Sequence, residues 1–263
     1  MINIDKYAYI SRLKKTAPMK KLFFSMLALG VCLWADSVAV SVLVLLIMAW
    51  CTVNKGGTPF ALFIKLMLVP TSFLVISVLT IGVNVSGNKD IFLFSVSAFG
   101  THIGVSQSGI QSAAHLFFKA LGAVSCLYYL SLSTPMVDLL AALRRLKVPK
   151  LMIELMGLIY RFIFVLLETS DTMFKAQNSR LGYTSLSSAY RSLAALASTL
   201  FIRAYKRSDE LYTALEARGY DGELSVLEEP FETHWTEYIS PVAINLFLVL
   251  VALLLEQYTG GIL

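Results

Sequence analysis

Four stretches of this chain are apolar over lengths that call for a lipid solvent: residues 22–53, 60–82, 112–131 and 239–257. A helix rises about 1.5 Å per residue, so crossing the hydrocarbon takes about 20 residues. The first stretch is long enough for two passes and is broken only by Asp36, beside Trp34. It therefore predicts a helical hairpin, 22–35 and 37–53, with its turn at an interface. Thr58-Pro59 opens the third span and Ser240-Pro241 the last, since proline is tolerated in a first helical turn. With 57% apolar and 15% charged residues, the chain departs from the roughly half and quarter of soluble domains. The predicted fold class is an all-α integral membrane protein of about five transmembrane helices. Residues 1–21 are polar and no small-residue cleavage pattern follows them, so they read as a retained N-terminal segment, not a removed signal.

Lysine and arginine set the orientation. With the N-terminus inside, residues 1–21, 54–59 and 132–236 hold 19 of them and the outer loop 83–111 holds one, Lys89. That asymmetry predicts a multi-pass protein of a bacterial or archaeal cell membrane with a cytoplasmic N-terminus. Lys65, near the inner face, reads as snorkelling; Lys119 either snorkels or packs inside the bundle. The domain plan is then 1–21, a transmembrane bundle over 22–131, a cytoplasmic segment 132–236 and a last transmembrane helix in 237–263.

Segment 132–236 carries twelve basic and twelve acidic residues, a balance that suits a folded protein surface better than a lipid-binding polybasic patch. A short amphipathic helix is predicted over Asp138–Leu146, ended by Lys147-Val148-Pro149 because the residue before proline avoids the helical region. A long helix follows over 150–180, apolar through Leu151–Leu167 apart from Glu154 and Arg161, then polar. Its first half leaves open a sixth span at 151–167. A third helix is predicted over 188–218, with Leu193, Leu196, Leu200, Ala204, Leu211 and Leu215 on one stripe and a length of about 45 Å. Met152, Met156 and Met173 read as packing residues.

Both long helices end alike, on Ser179-Arg180-Leu181-Gly182-Tyr183 and on Ala217-Arg218-Gly219-Tyr220. Glycine supplies the left-handed residue that closes a helix, and a cation is favoured at the negative end of the dipole. Such ends serve stability alone in many helices. Two copies, with Gly182 and Gly219 37 residues apart, also suit two arginines that make bidentate contacts with carboxylates of a partner having two equivalent grooves.

Leu143-Arg144-Arg145-Leu146-x-Val148-Pro149, then Tyr160-Arg161-Phe162, and the paired arginine-glycine ends resemble the T component of energy-coupling factor transporters. The opening Asp5-Lys6-Tyr7-Ala8-Tyr9, with Ser11 and Leu13, is most similar to the cobalt-type members, CbiQ. The resemblance implies two long crossed coupling helices resting on two ABC-type ATPases, beside a membrane-embedded substrate-binding S component. It implies that Ala217-Arg218-Gly219 docks in an ATPase groove and that Arg180 and Gly182 take the second. Arg180-Leu181-Gly182 departs from the Ala-Arg-Gly pattern, with serine before the arginine and leucine inserted after it. ATP is used by the partners, no cofactor is implied for this chain, and the cargo is cobalt, with nickel or a vitamin as alternatives.

Other classes fare worse. His102, His115 and His234 fall in no metal-binding spacing, and no GxxxxGK[ST] phosphate loop occurs, so neither a metalloenzyme nor an ATPase is expected. Basic residues beside apolar stretches reflect topology and not nucleic acid. A self-contained carrier would favour acidic or carbonyl-lined paths, whereas the ionisable residues within the spans are lysines. Cys32, Cys51 and Cys126 read as packed thiols, and the glycines near 100–109 as turns. Phe231, His234, Trp235 and Tyr238 read as an interfacial belt, and Glu228, Glu229 and Glu232 as a solvated loop.

Overall fold

The structure, a computed structural model, describes residues 4–35, 37–86, 92–98, 101–220 and 236–259. Asp36, Lys89, the three glutamates near 230, Phe231, His234 and Trp235 lie outside the described residues. The chain divides into two compact units, Met1–Leu139 with Pro230–Leu263, and Leu140–Glu229.

The first unit begins with α1 (Ile4–Ile10) and a 3-10 turn (Arg12–Lys15), then α2 (Pro18–Trp34) and α3 (Val38–Trp50), which continues through a π turn (Cys51–Lys55). Helices α4 (Phe60–Gly82), α5 (Gln107–Ser133) and α9 (Thr236–Thr259) complete it. Val38–Lys55, Phe60–Ile81 and Gly109–Ser133 are long and apolar enough to cross a membrane, and Ile239–Leu255 is a shorter apolar helix. Helix α2, with 17 residues, sits at the short end of the roughly 17–25 residues a span needs. The predicted 60–82 span matches α4, whereas α5 starts at Gln107 instead of 112.

Helix α5 is the axis of the bundle, packed on α2, α3 and α4. Phe24, Ala28 and Cys32 of α2, Val40, Val44 and Met48 of α3, Cys51, and Cys126 and Tyr129 of α5 share one buried cluster. The three cysteines are free and buried, packed thiols as expected. Small residues allow this closeness, since lipid tails give helices no hydrophobic reason to associate and contact must come from fit. At Gly122, a β-carbon would lie 2.8 Å from Cys32 Sγ and 2.9 Å from the Ser41 carbonyl oxygen. On the far side, α4 turns Val69, Phe73 and Leu79 outward, Phe73 being 71% exposed. Water would penalise that face and lipid does not.

Two polar contacts repair the ends and breaks of these helices. Pro70, inside α4, has no N–H and so deprives the Leu66 carbonyl of its partner four residues on. The Tyr128 hydroxyl of α5 donates to that oxygen at 3.1 Å. Tyr128→Phe is therefore expected to destabilise the bundle by about 1–3 kcal/mol. Adding Pro70→Ala should restore most of the loss, because the helix again supplies the donor; a thermal double-mutant cycle with no coupling would refute this. Lys21, only 2% exposed, donates to the Leu13 carbonyl at 3.2 Å and to that of Ser133 at 2.8 Å. Ser133 is the last residue of α5, where a cation meets the negative end of the dipole. Lys65 is exposed near the start of α4, and Lys119 is half-buried on α5.

Residues 83–111 were expected to be an outer loop with glycine turns, and here the structure differs. Strands β1 (Val83–Ser86), β2 (Phe92–Ala98) and β3 (Thr101–Ser106) form an antiparallel sheet in the order β1-β3-β2. Gly104 pairs with Asn84 on one side and Ser95 on the other, and Gly109 lies in α5. Neither is a turn. Alternation in Val83-Asn84-Val85-Ser86 and Phe94-Ser95-Val96-Ser97 is the period-two pattern of a half-buried strand. The body of the chain remains helical.

The second unit holds most of α6 (Met136–Arg145) and all of α7 (Lys150–Ser179) and α8 (Leu186–Glu216). Helix α7 is a single 30-residue rod and is not among the helices long and apolar enough to cross a membrane. On α8, Leu196, Leu200, Ala204, Leu211 and Leu215 are half-buried as the stripe predicts, but Leu193 is 51% exposed. Met156 and Met173 are half-buried, and Met152 is exposed.

Candidate coupling site

Helices α7 and α8 run antiparallel. At one end they are joined by the short 180–185 connection, where Gln177 Nε2 donates to the Ser192 carbonyl at 3.1 Å. At the other end the Tyr220 hydroxyl donates to Glu154 Oε2 at 3.3 Å. Between them, Leu158, Arg161, Phe162 and Val165 face Arg207, Glu210, Leu211 and Ala214 across a cavity of about 180 Å³, with Arg207 bonded to Glu210 at 3.3 Å. Arg161-Phe162 of the sequence motif thus lies at the helix–helix contact. Leu143–Pro149 forms the turn from α6 to α7: Lys147 is left-handed (φ 61°), and the Val148 N–H reaches the Leu143 carbonyl at 3.3 Å.

The two arginine-bearing ends share one backbone design. At the end of α7, Leu181 is left-handed (φ 61°), its N–H donates to Asn178 O at 3.0 Å and that of Gly182 to Gln177 O at 2.9 Å. At the end of α8, Gly219 is left-handed (φ 75°), its N–H donates to Glu216 O at 3.0 Å and that of Tyr220 to Leu215 O at 3.0 Å. These are the two bonds of a Schellman closure. Arg180 and Arg218 each stand immediately before the left-handed residue, so the leucine that looks inserted in the sequence takes the place that Gly219 takes in the second copy. The expectation that Gly182 supplies the left-handed residue is therefore corrected. Glycine is needed there for room: a β-carbon would lie 2.7 Å from Ser192 Oγ and 2.9 Å from Gln177 O. The Gly182 carbonyl accepts from the Ser188 and Ser192 hydroxyls at 2.9 and 2.8 Å. Both following tyrosines fold back, Tyr183 donating to Gln177 Oε1 at 2.8 Å and Tyr220 to Glu154.

Leu181 is 70% exposed, so its side chain contributes little to packing, while left-handed geometry costs a residue with a β-carbon about 1–2 kcal/mol. Leu181→Gly is expected to stabilise the protein by up to about 1 kcal/mol, glycine's own entropy cost offsetting part of the gain. Gly182→Ala should destabilise it. Thermal midpoints moving in the same direction for both would contradict this assignment.

Arg180, Ala217, Arg218 and Gly219 are exposed and Gly182 is half-buried. Among the described residues neither guanidinium has an ion-pair partner. With helices of 30 and 31 residues, the two arginines stand at opposite ends of a hairpin about 45 Å long. Gln177 and Ser192 were not singled out in the sequence, since their pairing crosses the hairpin and leaves no local pattern. Among the described residues, no three of His, Cys, Asp or Glu gather to hold a metal ion.

Residues 8–228 match the family described as CbiQ, cobalt transport protein. An uncharacterized protein of Methanocaldococcus jannaschii is 34% identical over 257 residues, 97% of this chain and 94% of its own length. The cobalt transport protein CbiQ of Salmonella typhimurium is 31% identical over 231 residues, 85% of this chain and 99% of its own. The energy-coupling factor transporter transmembrane protein EcfT of Staphylococcus aureus is 32% identical over 130 residues, 45% of this chain and 48% of its own. On the match across 8–228 and these similarities, in a chain built of membrane-length apolar helices, this membrane protein belongs to the CbiQ cobalt transport family.

Proposed function

We propose that the chain is the non-catalytic transmembrane coupling subunit of an ATP-driven importer, carrying the motion of two ABC-type ATPases to a membrane-embedded substrate-binding subunit that takes up cobalt ion. The observation that carries this reading is the repeated helix end: Arg180 and Arg218 stand exposed on equivalent backbone, one at each end of a single hairpin. A lone basic cap would be explained by the dipole; two matched ones suit a partner with two like grooves. The names of the relatives, cobalt transport protein and energy-coupling factor transporter transmembrane protein, favour that partner class and cargo. The lysine and arginine asymmetry orients the N-terminus and the hairpin toward the cytoplasm, where ATP is available. ATPase closure would change the spacing of the two grooves and so act on both ends of the hairpin.

Co-purification from the native membrane tests the assembly. Two copies of an ATPase and a small membrane protein are expected, with cobalt uptake into vesicles that depends on ATP. Metal passage by the chain alone, without ATPases, would replace this reading with that of a self-contained carrier.

A further inference from the structure

At the end of the bundle where α2 begins and the π turn closes α3, side chains from both flanking turns and from α2, α5 and α9 enclose a pocket of about 90 Å³. Its polar wall is Thr16, Lys20, Lys21 and Lys55, its apolar floor includes Phe24 and Tyr129, and among the described residues none that lines it is acidic. A pocket of this size has room for a small polar group such as a phosphate. Lys21 is held in place by the Leu13 and Ser133 carbonyls, which leaves one of the three donors of its ammonium group for a ligand. Asp138 is within electrostatic reach of Lys21 but does not line the pocket.

We propose that this pocket binds the phosphate of an anionic phospholipid of the adjacent leaflet, with the acyl chains lying along α2 and α9. Three features select a lipid over a free phosphate. Half of the lining is apolar side chain, which a free ion does not use. Helical spacing carries the pocket wall onward to exposed apolar residues, from Lys20 and Phe24 to Leu27 and from Ser240 and Ile244 to Phe247, a path for hydrocarbon. Lys55 lies 5.4 Å from the ring centre of the exposed Trp50, and tryptophan is enriched at the depth of the headgroups. Basic pockets between transmembrane helices on the lysine-rich side are a setting in which anionic headgroups bind.

The test uses the purified full chain in neutral detergent. Phosphatidylglycerol, phosphatidylcholine and inorganic phosphate are titrated separately, and the thermal midpoint and retained lipid by native mass spectrometry are read. Phosphatidylglycerol alone should raise the midpoint and stay bound. The double variant Lys20→Gln with Lys55→Gln should weaken it roughly thirtyfold, whereas Lys206→Gln, on α8, should leave it unchanged. Should the double variant fail to fold, Ser240→Asp at the exposed edge of the pocket keeps every lysine and is expected to abolish the effect by repulsion. An equal response to phosphatidylcholine, a response to inorganic phosphate as large as that to the lipid, or undiminished binding in both pocket variants would each overturn the proposal.

Discussion

Arg218→Glu is expected to abolish ATP-driven uptake by preventing assembly with the ATPases, while the isolated chain keeps its thermal midpoint. Losing one partner of a hydrogen-bonded charge pair at an interface costs about 2–5 kcal/mol, and reversing its sign adds repulsion. The residue is exposed, and among the described residues it has no ion-pair partner, so little stability within the chain rests on it. Arg218→Lys should fall between, since an ammonium keeps the charge but not the planar fork that binds a carboxylate at two points. Arg180→Glu is expected to be equally severe, because both arginines precede the left-handed residue of the same closure. An assembled and transporting Arg218→Glu complex would remove this arginine from coupling. A harmless Arg180→Glu beside a damaging Arg218→Glu would show that equivalent backbone does not mean equivalent use.

Gly122→Leu should leave no folded bundle, and Gly122→Ala should destabilise it by about 1–3 kcal/mol. The site is closed on two sides, by Cys32 Sγ at 2.8 Å and by the Ser41 carbonyl oxygen at 2.9 Å. A thiol can rotate, but a carbonyl within α3 cannot move without bending the helix. Gly30 supplies the control: it lies in α2, and a β-carbon there would meet nothing within 4 Å. Gly30→Ala should therefore be neutral or slightly stabilising, in line with alanine's higher helix propensity. Thermal midpoints, together with the rate at which a maleimide reaches the buried Cys32 and Cys126, check both. Equal behaviour of the two glycine variants would mean that the close approach of α2, α3 and α5 does not limit stability.

The spans were legible because a bilayer imposes a length and an apolar composition that few other environments require. The limits of α4 and the rods α7 and α8 could be read from hydropathy, from Pro149 and from the stripe ending at Leu215. The sheet at 83–106 was not, since its strands of four to seven residues sit among polar neighbours and read in sequence as a connection between spans. At the candidate coupling site the arginines and glycines stand out as a repeated pattern, yet the pattern misassigns the left-handed residue. Gly182 looks like a cap in one dimension; only the proximity of Ser192, brought back by the hairpin, shows that it is kept small by a neighbour. Tyr128 and Leu66 illustrate the same limit: Pro70 announces an orphaned carbonyl, but nothing local says which side chain, 62 positions from Leu66, will reach it.

The Tyr220 to Glu154 hydrogen bond and the 180–185 connection tie α7 and α8 together at both extremities, an arrangement that suits one beam better than two independent struts. A beam gripped near its two tips responds to equal pushes by translating and to unequal ones by turning. On the proposed coupling role, two motors working in step, or one slightly ahead of the other, would thus deliver different movements through the same pair of arginines.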